Sequence, residues 1–362
     1  MPTAKAAVLN ALNEPLSVEP LRVRDPREGE VLVRIGASGV CHSDLHAITG
    51  DIPMPTPCVL GHEGAGVVEA VGPGVGRVHT GDHVVLNWVP FCGSCWYCQS
   101  GNAYLCELGY VKAMGAEAFH RNGTVIGQFA GVGTMTEYTL VSENACIPID
   151  ADIPLDCACL IGCGVMTGVG AVINTARVQP GQSVAVFGAG GVGLNVVQGA
   201  VLAGANPIIA IDLNDRKLGF AKQFGATHTV NGGSTDPVGA VQELTGGRGA
   251  DYAFEVIGVP DVVMQAFLAT RRGGMAVVVG VPPAGAMISV PGMLFPLAEK
   301  SLVGSLYGSA NMARDVPRLI ALYRAGKLKL DELITRRYPL AKVNDAFTAM
   351  KQGEVARGVI EF

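Results

Sequence analysis

Charge is scarce in this chain. Charged residues make up 16% of it against 49% hydrophobic ones, which excludes the composition of a disordered protein and leaves material for a large core. No cluster of Lys and Arg occurs, and the net charge is −5. That removes the electrostatic footprint expected of a protein that binds nucleic acid or an anionic membrane. The 49 glycines follow no collagen period and form no low-complexity tract, and there is no internal repeat. The opening MPTAKAAVLNALNEP lacks the basic head, long apolar run and cleavage site of a secretory signal. The window 183–211 carries no charge, but its glycines and its strand–turn–helix–strand punctuation argue against a membrane span. The expectation is a soluble cytoplasmic protein with no membrane or nucleic-acid partner. In that compartment ten cysteines point to metal before disulfides.

A length of 362 residues suggests two domains. The first 150 or so are mostly β. Runs at 5–9, 31–35, 65–71, 82–86 and 137–141 are rich in β-branched residues, with glycine and proline turns between them. From 183 onward the pattern alternates. Strands are expected at 184–187, 208–212, 227–230, 251–257, 275–281 and 301–306, and helices at 192–204, 214–225 and 261–272. Helices at 316–325 and 343–352 and a short strand near Val359 follow. This predicts an α/β protein: a six-stranded parallel Rossmann-type sheet at 165–306, inserted into a discontinuous, mostly β domain formed by 1–164 and 307–362.

The first strand of that sheet runs into Gly188-Ala189-Gly190-Gly191-Val192-Gly193 and then a helix. In this context a GxGxxG lets backbone approach a pyrophosphate at a helix N-terminus. Asp212 closes the next strand, 19 residues after Gly193. A carboxylate there accepts from a ribose 2′-hydroxyl and repels a 2′-phosphate, and Lys217 can reach the same ribose. NAD(H) is expected over NADP(H).

Cys92, Cys95, Cys98 and Cys106 form C-x2-C-x2-C-x7-C. Four thiolates at this spacing close a tetrahedral structural zinc site; an iron–sulfur cluster or a nucleic-acid zinc ribbon finds no supporting context. A second set is dispersed. Cys41-His42-Ser43-Asp44-Leu45-His46 offers a thiolate, a hydroxyl, a carboxylate and two imidazoles, although Cys41 alone reads equally well as a small buried residue. His62-Glu63 lies between Gly61 and Gly64, and Cys163 between Gly162 and Gly164. Two sulfurs and one nitrogen leave a fourth position for water or an alcohol oxygen. Cys58, Cys146, Cys157 and Cys159 are taken as packing residues. His79, His83, His120 and His228 are taken as ordinary histidines.

Taken together, these motifs resemble the zinc-dependent medium-chain alcohol dehydrogenases over essentially the whole chain. The resemblance implies a GroES-like catalytic domain around a Rossmann domain and two zinc ions per chain. It makes Cys41, His62 and Cys163 the catalytic zinc ligands, with Asp44 steadying them and Glu63 close to the metal. Ser43 would take the substrate proton and pass it towards His46. His42 and Arg357 would contact the cofactor pyrophosphate, Thr167 and Val192 would lie beside the nicotinamide, and Val279 would also bind the cofactor. Trp88 and Phe129 would wall a pocket suited to primary alcohols or aldehydes with an apolar or aromatic group. Asn174-Thr175-Ala176 is similar to the glutathione-dependent formaldehyde dehydrogenase branch, but Glu107-Leu108-Gly109-Tyr110 lacks that branch's arginine. Residues 107–126 resemble a loop of dimeric members, so a homodimer joined through the edge strand 301–306 is expected. The alternatives are thiol-dependent formaldehyde oxidation and a non-catalytic NAD- and zinc-binding redox sensor.

Overall fold

Valine, leucine and isoleucine recur along Glu30–Gly39, EVLVRIGASG, a strand long enough to take three partners. Along one edge it pairs antiparallel with Glu63–Val71. Its other edge takes Tyr138–Ser142 at the start and Arg357–Glu361 at the end. The computed structural model describes residues 2–109 and 117–362; the central part of the expected 107–126 loop lies outside the described residues. In order, the sheet around this strand is Cys146–Ile149, His83–Leu86, Glu63–Val71, Glu30–Gly39, Arg357–Glu361 and Ile334–Pro339. Thr3–Leu9, Ser17–Val23, Phe119–Arg121, Thr124–Gln128 and Cys58–Val59 close a separate barrel. Leu9, Ile35, Leu60, Leu86 and Met135 fill one core, and Leu21, Phe119, Ile126 and Leu140 fill another. Gly39 stands opposite both Glu63 and Val359, a register that carries Arg357 to the strand bearing Glu63.

The chain divides into two compact units. The first comprises Met1–Gly164, Asn311–Ala325 and Leu330–Phe362, and the second Val165–Ala310 and Gly326–Lys329. The return expected at 307 comes at Asn311, because the turn Tyr307–Ser309 stays with the second unit. There Asn174 donates to the Gly308 carbonyl (3.1 Å), and the Thr175 hydroxyl meets those of Ser305 and Ser309 at 2.8 Å. Lys329 is held in the same unit by exchanging hydrogen bonds with the Gln198 side chain at 2.7 and 3.2 Å.

The second unit contains six parallel strands in the order His228–Asn231, Ile208–Asp212, Val184–Phe187, Ala250–Glu255, Thr270–Val278, Ser301–Gly304. This is the doubly wound 3-2-1-4-5-6 order. The central VAVF strand is fully buried, as expected of a sheet covered on both faces. Asn214 caps the helix Asp215–Phe224, accepting from the Arg216 N–H at 2.9 Å, and Gly225 ends it at φ +112°.

The stretch 155–176, for which the sequence pattern predicts no element, is helical, with wider π turns at Ile161–Val165 and Ala171–Ala176. By length and composition this helix could cross a membrane. However, 89% of its most apolar window is buried within the protein, the mark of a core helix.

Candidate active site

Cys41, in extended conformation, is the N-cap of the helix His42–Thr49. That helix buries Asp44 and Ala47 and leaves Ser43 and His46 half-buried and His42 exposed. Ser43 and His46 are three residues apart and so share a helical face. The Ser43 hydroxyl lies 3.9 Å from the Cys41 sulfur. The His46 ring meets Asp51 at 3.1 Å through Nδ1, and Asp51 also accepts from Thr49 at 2.6 Å. Asp51 escaped the sequence reading because it follows a left-handed turn at Gly50 (φ +85°) and has no motif around it.

The Asp44 carboxylate is fully buried. Its Oδ1 accepts from the Gly61 N–H at 2.9 Å and meets His62 Nδ1 at 3.2 Å. This turns His62 so that Nε2 is buried with no hydrogen-bond partner among the described residues. An imidazole with one nitrogen tied to a carboxylate and the other left over is the arrangement of a metal ligand. The ligand atoms of Cys41, His62, Glu63 and Cys163 all lie within 4.8 Å of one another.

Cys163 is brought there by the π turn Ile161–Val165, a helical irregularity that is frequent at functional sites. Glu63 is engaged elsewhere. It accepts the Gly164 N–H at 2.8 Å and forms a buried ion pair with Arg357, whose guanidinium also donates to the Val40 carbonyl at 3.2 Å. A Cβ at Gly39 would collide with the Glu63 carboxylate, and one at Gly164 with the Arg357 guanidinium, so a side chain at either position would have to displace the ion pair.

Electrostatics separate the two thiols. A hydrogen bond from Cys163, aided by His62 and Arg357, holds Cys41 well below the usual thiol range despite its burial. Cys41 and burial push Cys163 well above that range. Burial opposes a charge on His62, but the Asp44 and Cys41 charges outweigh it and raise its pKa well above normal. Burial also raises the Glu63 carboxyl, against the pull of Arg357. A thiolate, a second thiol and an unpartnered imidazole nitrogen fit a borderline-soft cation such as zinc. With Glu63 held by Arg357, three ligands remain and a fourth position stays open.

The four-cysteine loop also fits zinc, but as a closed site. Its sulfurs all lie within 4.8 Å of one another. Backbone N–H groups of Cys95 and Ser94 point at Cys92 sulfur (3.2 and 3.4 Å), and those of Cys92 and Gly109 at Cys106 sulfur (both 3.2 Å). The Ser94 hydroxyl and its N–H draw the Cys92 thiol down to about 6, while burial pushes Cys98 up to about 12. Cys58, Cys146, Cys157 and Cys159 are buried and belong to neither group. Burial raises the pKa of all four, Cys157 to about 12.

In the second unit Gly188 is left-handed (φ +103°), and a Cβ on Gly193 would collide with the Gly188 carbonyl. Gly190 has open space where a Cβ would stand, as a phosphate approach requires. Asp212 accepts from the Ala189 N–H at 2.8 Å and the Asn214 N–H at 3.0 Å, tying the second strand to the glycine turn. Lys217 is half-buried on the helix that follows. Gly168, next to Thr167 in the chain, packs against the Val192 carbonyl (2.6 Å to an added Cβ). The Val279 N–H donates to the Glu255 carbonyl at 2.8 Å.

Trp88 and Phe129 both pack nearly perpendicular to the His62 ring, with centroids at 6.2 and 5.4 Å. An alcohol dehydrogenase GroES-like domain model matches residues 27–151, and a zinc-binding dehydrogenase model matches 191–324. The chain is 43% identical to the NDMA-dependent alcohol dehydrogenase of Amycolatopsis methanolica, over 98% of each chain. It belongs to the zinc-dependent medium-chain alcohol dehydrogenase family. Among solved members, a zinc-binding-domain alcohol dehydrogenase protein from Burkholderia ambifaria matches with TM-score 0.95 and 38% identity, covering 100% of this chain and 99% of its own. The benzyl alcohol dehydrogenase of Acinetobacter calcoaceticus matches with TM-score 0.94 and 34% identity, over 100% of both.

Proposed function

We propose that the protein is a cytoplasmic NAD-dependent zinc alcohol dehydrogenase. It interconverts primary alcohols bearing an apolar or aromatic group with their aldehydes. The observation that carries this reading is the buried, unpartnered His62 Nε2 beside the Cys41 and Cys163 sulfurs, a three-ligand set with room for a substrate oxygen. When bound, zinc supplies Lewis acidity towards the alcohol oxygen and NAD supplies the hydride acceptor.

The chain's own residues handle position and protons. Asp44 fixes the orientation and tautomer of His62. Ser43, beside Cys41, takes the hydroxyl proton, and His46, on the same helical face, passes it to solvent with its ring oriented by Asp51. Trp88 and Phe129, packed perpendicular to the His62 ring, supply aromatic surface beside the metal ligands for an aromatic substrate. The benzyl alcohol dehydrogenase among the relatives supports such a substrate. In an NAD-linked absorbance assay, kcat/KM for benzyl alcohol is expected to exceed that for ethanol by about a hundredfold. Ethanol turned over equally well would sink the aromatic pocket.

Asp212 supports NAD over NADP. Asp212→Gly is expected to raise the NADP-to-NAD ratio of kcat/KM by about tenfold or more, since a carboxylate no longer faces the 2′-phosphate. An unchanged ratio removes Asp212 from cofactor selection. A homodimer fits the exposed sheet edge Ser301–Gly304 and the exposed Met293 and Leu297 beside it. Light scattering is expected to give two chains per particle, and four would overturn the dimer.

A further inference from the structure

Glu255 ends the fourth parallel strand and is fully buried. Its register partner is Phe187, the last residue before the glycine turn. The two strands that meet here are those between which the order 3-2-1-4 reverses, the switch point of a doubly wound sheet. Among the described residues the carboxylate has no ion-pair partner. Its Oε1 accepts from the Ile257 and Gly258 N–H groups at 2.8 and 2.7 Å, and its Oε2 is buried with no partner. The main-chain carbonyl of Glu255 takes the N–H groups of Val279 and Gly280 at 2.8 and 3.0 Å.

One residue therefore ties down two turns at the carboxyl ends of adjacent strands. The turns abut: a Cβ at Gly280 would collide with the Gly258 nitrogen, and one at Gly258 with the Val281 carbonyl. Ile257 and Val256 also pack over Gly188, where they would crowd any side chain. Yet the turns present large apolar side chains to solvent: Ile257 is 46% exposed, Val259 42% and Val281 51%. At the ligand-binding edge of the sheet these apolar groups form a surface against which a flat, apolar ring can pack. Asp212 lies on the other side of Val184–Phe187 from Glu255. If Asp212 faces the adenosine ribose, the Glu255 side carries the nicotinamide half.

We infer that Glu255 is a positioning residue for the dinucleotide, holding the 257–259 and 279–281 turns as an apolar wall for the nicotinamide end. This rests on the dinucleotide reading proposed above. Replacing the carboxylate by Leu strips the Ile257 and Gly258 N–H groups of their acceptor and frees the turn to move. Gln keeps an acceptor oxygen in the same place.

The test is equilibrium titration of the full-length enzyme with NADH and, separately, with ADP-ribose, alongside zinc analysis and thermal melting. Glu255→Leu is expected to raise the NADH Kd by about tenfold or more while changing the ADP-ribose Kd by less than about threefold and leaving zinc content unchanged. Glu255→Gln is expected to restore the NADH Kd to within about threefold of wild type. Ile257→Ser, which leaves the buried carboxylate intact, is expected to weaken NADH in the same selective way, and keeps the test available if the Leu variant does not fold. Wild-type NADH affinity in folded Glu255→Leu or in Ile257→Ser overturns the inference, as does equal loss of NADH and ADP-ribose. A wild-type enzyme that binds neither NADH nor NADPH would instead remove the dinucleotide reading itself.

Discussion

Cys163→Ala is expected to release the proposed catalytic zinc, to leave any ion of the four-cysteine loop in place, and to abolish alcohol oxidation. The substitution removes one sulfur of a three-ligand set, in a π turn whose neighbours Gly162 and Gly164 offer no replacement donor. Loss of a metal that contributes several kcal/mol of charge stabilisation lowers kcat by about a thousandfold or more. The four-cysteine loop is a separate set of sulfurs, so its ion should stay and the protein should remain folded. Plasma emission analysis and the NAD-linked assay read the two effects independently. Normal turnover with two zinc ions would take Cys163 out of the site.

Arg357→Met is expected to destabilise the protein by about 3–5 kcal/mol, because it leaves the Glu63 carboxylate buried without its cation. Both partners are almost inaccessible, with side-chain exposures of 4% and 0%, so water cannot take the guanidinium's place. The double variant Glu63→Gln/Arg357→Met is expected to recover much of the loss, since no unpaired charge remains. Thermal melting of the two single variants and the double closes the cycle. The family resemblance placed Arg357 on the cofactor pyrophosphate. A variant with normal stability and a weakened cofactor Kd would favour that role over the ion pair.

Chemistry written in short spacings was legible before any fold was known. The C-x2-C-x2-C-x7-C loop and the GxGxxG turn each lie within a few residues, so spacing alone brings their donors together. The six parallel strands were also legible, because strand and helix patterns alternate plainly. Three of those strands end earlier than expected: 251–257 stops at Glu255, 275–281 at Val278 and 301–306 at Gly304. The buried Glu255 carboxylate takes the next N–H groups and bends the chain away from the sheet.

What stayed hidden was decided by register. Nothing local links Glu63 to Arg357 across 294 positions, or Asp44 to the Gly61 N–H; only pairing of Glu30–Gly39 with both neighbours joins them. The barrel strands Cys58–Val59 and Phe119–Arg121 are too short to show an alternation. Helix 155–176 went unseen because glycine and cysteine break its period and no polar cap marks its start.

The separation between Glu63 and Arg357 also bears on the order in which the protein can be assembled during synthesis. Cys41, His62 and Glu63 emerge early and Cys163 follows. The whole parallel-sheet unit must then be made before Arg357 appears. Until then the carboxylate beside the zinc ligands has no counter-charge, and the strand Glu30–Gly39 has an open edge where Arg357–Glu361 will pair. The Glu63–Arg357 pair and the sheet edge it closes can therefore form only after the second unit has been synthesised, whereas the three metal ligands are all made before it.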